Sequence, residues 1–120
     1  MPVYALTIKH PWLWCILHSD KRIENRTWTP PNRVVGQRIY LHSSKEFDHE
    51  GVLFCEQQGV ELPSEYHFGC IEGSAIVKGY VRSSDNHWFQ GPFGWTLEDV
   101  RLLKVPLPRR GQQGVWKVKK

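Results

Sequence analysis

The sequence predicts an α+β fold, a small β-barrel of five or six short strands with two or three short helices. β-favouring stretches recur along the chain, separated by turns rich in proline, glycine and asparagine. Helical spacing of apolar residues occurs at two places, each between early strands. Glycines interrupt the longest strand signal, as a bulge or a barrel corner requires. A length of 120 residues fits one core, so residues 1–120 are expected to form a single domain.

Tyr4-Ala5-Leu6-Thr7-Ile8 alternates as a first strand. His10-Pro11 breaks it, because proline restricts the residue before it and suits a first helical turn. Leu13, Ile16 and Leu17, beside Trp12 and Trp14, then fit a short helix ending near Ser19-Asp20. A second strand is expected over Lys21–Trp28, closed by the stiff Thr29-Pro30-Pro31-Asn32 loop. Arg38–His42 reads as a third. Ser43 or Ser44 is then a helix cap, with Glu46 completing a capping box from Ser43. That acidic helix would run over residues 44–58, weakened by Gly51. A turn-rich connection over residues 62–69 leads to the long strand Cys70–Val81. A polar and aromatic loop covers residues 83–94, and strands are expected over Trp95–Val105 and Gly114–Val118. Lys119-Lys120 are expected to fray.

Three cysteines (Cys15, Cys55, Cys70), odd in number and widely spaced, read as reduced and mostly buried thiols rather than a disulfide framework. Cys15 and His18 can share a helix face, but one such pair lacks the second that a structural zinc site needs, so no metal is expected and no cofactor. The chain has no apolar run long enough to span a bilayer and no signal-peptide pattern, which points to a cytoplasmic protein without membrane attachment.

The formal net charge is +4, unevenly distributed. Residues 1–40 carry six basic and two acidic side chains, residues 41–72 one basic and seven acidic, and residues 101–120 seven basic and none acidic. Such a division predicts one positive face, which attracts phosphates, and one negative; ordinary solubility patterning produces the same sequence statistics.

The most informative stretch is Ser19-Asp20-Lys21-Arg22-Ile23-Glu24-Asn25-Arg26-Thr27-Trp28. Positions two apart in a strand share a face, so Glu24 and Arg26 point the same way, with Lys21 at the strand's mouth. Lys21 can act as a phosphate-binding point charge or, when desolvated, as a base or nucleophile. Arg26 can hold a phosphate or carboxylate through two parallel hydrogen bonds. Glu24 can orient either cation or accept from the exocyclic amine of a base. The bland alternative is a Lys–Glu–Arg cluster that only fixes the strand.

Pro11-Trp12 after the first strand, followed by Lys21-x-x-Glu24-x-Arg26-x-Trp28, resembles the ASCH (activating signal cointegrator homology) family, which is PUA-like. The resemblance continues through Leu62-Pro63, Phe68-Gly69-Cys70-Ile71 with Gly73, and Gly114-Val115-Trp116-Lys117. The acidic segment and Pro63-Ser64-Glu65-Tyr66 are similar to the domain of the eukaryotic coactivator that gave the family its name. Two positions depart from the common pattern: His10 stands where many members have glutamine, and Ser19 where many have glycine. Both are expected at the rim of the cleft.

The resemblance implies a PUA-like β-barrel and a nucleic-acid-linked function. Coactivator-type members resemble DNA or RNA binders, some bacterial members are described as ribonucleases, and a shorter branch hydrolyses acetylcytidine with a lysine, a threonine and a glutamate. Lys21 matches that lysine, but Glu24 stands at the threonine position.

Among the other candidates, Trp12 and Trp88 lie beside turns and are the best placed tryptophans for stacking on a base. The loop from His87 to Gly94 is a possible lid. Arg109-Arg110-Gly111-Gln112-Gln113-Gly114, with Lys117 nearby, forms a second basic patch whose glycines permit close backbone approach. His10 is a candidate general acid or base, packing being the commoner use of such a residue. The leading expectation is a binding module for RNA or DNA, single-stranded or duplex, or for a nucleotide. Its contacts would be Lys9, His10, Trp12, Lys21, Glu24, Arg26, Trp88, Arg109, Arg110 and Lys117. A small ribonuclease or nucleoside-modifying hydrolase using Lys21 with Glu24 is the second reading. A protein-interaction module using the acidic helix, through Glu46, Asp48 and Glu50, is the third.

Overall fold

The computed structural model describes residues 2–119; Lys120, expected to fray, lies outside them. Six strands form one mixed sheet: β1 (Tyr4–His10), β2 (Ile23–Arg26), β3 (Arg38–Phe47), β4 (Cys70–Val81), β5 (Phe93–Pro108) and β6 (Val115–Lys117). Two helices, α1 (Trp12–His18) and α2 (Gly51–Gln57), and a 3-10 turn over Asn32–Val34 complete it. The strand order is β2-β5-β4-β3-β1-β6, so β2 and β6 are the edges. β1 and β3 run parallel and the other neighbours antiparallel. This is the expected α+β barrel-like fold, except that backbone pairing does not close the barrel.

The sheet curls because β4 and β5 are long and repeatedly bulged. Their register shifts between Ile71 and Gly73, between Ser74 and Ile76, and between Val77 and Gly79, within the glycine-bearing stretch. Strand alternation then sends Leu6, Ile8, Ile39, Leu41, Val77, Trp95 and Leu97 to one core, capped by Leu13, Ile16 and Leu17 of α1. A second, smaller cluster joins Cys15, Ile23, Cys55 and Trp88, with Trp14 and Phe54 against it. All three cysteines are buried free thiols.

One element departs from the expectation. β3 does not end at His42 but runs to Phe47, and no helix starts at Ser43 or Ser44. The Ser43 side chain is buried and serves the sheet instead, accepting from the Cys70 amide and donating to the Cys70 carbonyl, each at 3.1 Å. Ladders to β1 on one side and β4 on the other outweigh a local capping preference. The helix that follows has only seven residues. Its first residue, Gly51, is required for contact: a Cβ there would lie 2.8 Å from the Trp12 indole. Glu46 and Asp48 thus fall outside the helix on which an acidic interaction surface was expected.

Candidate functional site

The site grows out of the end of α1. The Arg22 guanidinium folds back onto the helix terminus, donating to the carbonyls of Ile16, Ser19 and Lys21 at 3.0–3.1 Å. That satisfies exposed C-terminal carbonyls. It also turns the Lys21 side chain inward, where it is 1% exposed. Its ammonium donates to the Ile23 carbonyl and to Glu24 Oε1 at 3.3 Å, and it lies 5.6 Å from the Trp12 ring centroid. A carbonyl, a carboxylate and a π face thus surround one buried cation.

Glu24 is the centre of the cluster. Its other oxygen accepts from Arg26 Nε at 3.0 Å, as the shared strand face requires. Arg26 then reaches across to β1 and donates through Nη2 to the Thr7 carbonyl at 2.7 Å. β6 pairs with β1 only as far as Leu6, with one further bond from the Thr7 amide to Gly114. Beyond that point the edge strand β2 lies against β1 without a backbone ladder between them. The barrel has an open seam there, and a guanidinium bridges it.

A cavity of about 530 Å³ occupies the seam. Thr7, Ile8 and Lys9 form one side and Glu24, Asn25 and Arg26 the other, with Trp12, Trp28, Ser44, Glu46, Gln113 and Gly114 completing the walls. Trp12 is held in place by donation from its indole N–H to Asp48 at 2.8 Å. Trp28 is partly exposed and packs edge-on against Trp95, 4.9 Å between centroids. Among the described residues, no protein group accepts from Arg26 Nη1, which leaves that nitrogen available to a ligand. A smaller hollow of about 160 Å³ opens on Lys21 and Glu24, between Trp12, Asn25 and Gln90.

A family model described as "ASCH domain" matches residues 6–106. The chain belongs to the ASCH domain family. It is 22% identical to human "Activating signal cointegrator 1" over 96% of its own length, and 22% identical to the mouse protein of that name over the same share. It spans 22% of the length of those relatives.

The seam cleft gathers Lys9, Trp12, Glu24 and Arg26, with Lys21 directly behind. The Arg109–Gly114 loop borders it. A hollow of about 210 Å³, lined by Lys45, Arg109, Arg110 and Gly111, shares Thr7, Ser44 and Gln113 with the cleft. The loop is anchored on His42, whose Nε2 donates to the Arg109 carbonyl at 2.7 Å. His42 Nδ1 faces the Thr7 hydroxyl at 3.1 Å, and that oxygen accepts from the Trp116 indole at 2.9 Å. Gly111 has to be glycine here, since a Cβ would stand 2.5 Å from His42 Cε1. Burial lowers the His42 pKa below the usual histidine value.

Three expected contacts lie elsewhere. His10 is fully buried rather than at the cleft rim. Its Nδ1 accepts from the Trp14 amide at 3.1 Å, so Nε2 carries the proton and donates to Glu72 at 3.0 Å. Burial pushes the Glu72 carboxyl up, but the contact with His10 outweighs it and holds the pKa below the usual range. Trp88 is also fully buried, in the second cluster, so no base can stack on it. Its indole donates to Asp20 at 2.9 Å and lowers that carboxyl's pKa. Lys117 sits on a different face, paired across from Tyr4.

Asn25 was not singled out in the sequence, yet it fixes the loop beside the cleft. Its Oδ1 accepts from the amides of Gln90 and Gly91 at 2.8 and 3.0 Å, and its Nδ2 donates to the Trp88 carbonyl at 3.0 Å. The available signal was its type: asparagine is disfavoured in strands, so one placed between Glu24 and Arg26 has a hydrogen-bonding task. Among the described residues no group of three His, Cys, Asp or Glu side chains is arranged to hold a metal. No helix among them is long and apolar enough to cross a membrane.

Proposed function

We propose that the seam cleft binds nucleic acid, or a single nucleotide, through Arg26 and Lys9, with a base against Trp12 or Trp28. The observation that carries this reading is the unpaired face of Arg26 in a 530 Å³ cavity edged by two tryptophans. Such a cavity is of ligand-binding size. Cation and aromatic walls together suit a phosphate with an attached ring. Lys21 and Glu24 hold Arg26 in position from behind. Lys45, Arg109 and Arg110 extend the positive surface for neighbouring phosphates.

The test is fluorescence anisotropy with short labelled single-stranded RNA and DNA and with duplexes, over a salt series. Affinity should fall with salt, by a logarithmic slope of about −0.7 per phosphate contacted for single strands. Lys9→Ala should reduce that slope by about one phosphate's share and weaken all sequences alike. Trp12→Leu should cost about 1–3 kcal/mol if a base stacks there. Salt-insensitive binding, or none at low salt, would refute the proposal.

The small hollow opening on Lys21 and Glu24 supports a second reading, hydrolysis of an RNA or a nucleoside. Turnover by the purified protein that is lost in Lys21→Ala would favour it. The three partners already engaging the Lys21 ammonium favour holding over cutting.

A further inference from the structure

A second cavity, of about 640 Å³, is larger than the seam cleft and lies on another face. Val3, Tyr40, Ile71 and Leu107 supply apolar walls from beside β1 and from β3, β4 and β5. Tyr40 alternates with the core residues Ile39 and Leu41, which places this hollow on the side of the sheet away from the core. Val3 is 48% exposed and Leu107 51%, and Val105, two residues earlier on β5, is 73% exposed. Exposed apolar residues clustered at a concavity mark a binding surface more than scattered ones do. Among the described residues, the charged members of the lining are Arg109, Lys117 and Lys119, with no carboxylate among them.

We infer that this hollow is a docking site for an acidic partner protein, receiving a segment in which leucine-like side chains are interspersed with aspartate or glutamate. The apolar walls call for side-chain insertion, and the three cations call for flanking negative charge. Symmetric pairing with a second copy of the chain is disfavoured. Arg109, Lys117 and Lys119 all lie on this face, so a symmetric pairing of it would set like charges together. A concave hollow suits an inserted side chain better than a flat lipid surface. Its single aromatic wall, Tyr40, gives a nucleic acid little to stack on. The site lies on a different face from the seam cleft, meets its basic surroundings only at Arg109, and stands whether or not that cleft binds nucleic acid.

The test is selection of random peptides displayed on phage against the full chain, followed by anisotropy with the selected peptides made synthetically. Sequences combining Asp or Glu with Leu, Ile, Val or Phe are expected. Leu107→Asp should weaken them by at least about tenfold, as loss of a central apolar contact does. Lys117→Glu with Lys119→Glu should weaken them by a similar factor that shrinks as salt rises. Arg26→Ala, in the other cleft, should leave peptide binding within about twofold. Urea melts check each variant's fold, and Val3→Asp repeats the test at a second exposed wall should Leu107→Asp lose stability. The inference is overturned by selection of basic or purely polar peptides, or by affinity unchanged in both Asp variants. It is also overturned if phosphatidylserine vesicles or single-stranded RNA bind this face instead, displacing the peptide and showing the same dependence on Leu107.

Discussion

Glu24 should be worth more to the fold than the lysine it pairs with. Glu24 is 6% exposed and lies between a fully buried ammonium and a guanidinium whose side chain is 19% exposed. Changing Glu24→Gln leaves Lys21 with the Ile23 carbonyl and a neutral amide oxygen, and no anion. Breaking a buried pair from one side costs about 3–5 kcal/mol, and the retained amide oxygen places this change near the lower end, about 3 kcal/mol. Lys21→Met removes the buried cation but leaves Glu24 bound to Arg26 at 3.0 Å, and methionine fills the space of the lysine stem. That change should cost about 1 kcal/mol. For 120 residues the unfolding entropy is about 0.25 kcal/mol/K, so the two variants should lose about 12 and 4 °C in Tm. The double variant should be more stable than Glu24→Gln alone by about 1–2 kcal/mol, because its orphaned charge is gone. Urea titration and calorimetry of the four proteins measure this directly. If Lys21→Met costs as much as Glu24→Gln, or if the double variant shows no recovery, Glu24 is not the keystone of the cluster.

Asn25→Ala should release the loop over residues 88–91, lowering amide-exchange protection at Gln90 and Gly91 and costing about 2 kcal/mol of stability. Asn25→Asp keeps both accepting contacts and should restore most of that protection. The His42 pKa is lowered on folding by burial, so the unfolded chain binds more protons just below the usual histidine value of 6.5. Its contribution to stability is therefore fully present above about pH 6.5 and lost as pH falls through the folded pKa. Exchange at Gly111–Gly114 should quicken as pH drops through that window beyond the intrinsic trend, and His42→Asn should flatten the excess.

The strands with clear alternation were legible, as were α1 and the shared face of Glu24 and Arg26, because each depends on local periodicity alone. The helix expected from Ser43 was not, because its supposed cap is claimed by Cys70, which is 27 residues away in sequence. His10 and Trp88 sit beside turns as anticipated, but a turn does not reveal on which side of the chain the core lies. Both point inward, the buried Glu72 meeting the polar atom of one and Asp20, at the surface, meeting that of the other. Glu46, expected to cap a helix, instead stands on the wall of the cleft. The open seam was likewise hidden from the sequence, since it exists only where β6 stops pairing and β2 arrives.

That seam ties recognition to mechanical integrity. The guanidinium that spans it is the same group that faces the cavity, so ligand and barrel compete for, or share, one set of N–H donors. A ligand that accepts from Nη1 leaves the Thr7 bridge intact and should raise the melting temperature as it binds. One that draws Nη2 from the Thr7 carbonyl would part the two strands, and some of its binding free energy would be spent on that opening. Ligands can therefore be sorted by whether they clamp this domain or pry it apart, a distinction that amide-exchange protection along the two seam strands reports even where affinities are equal.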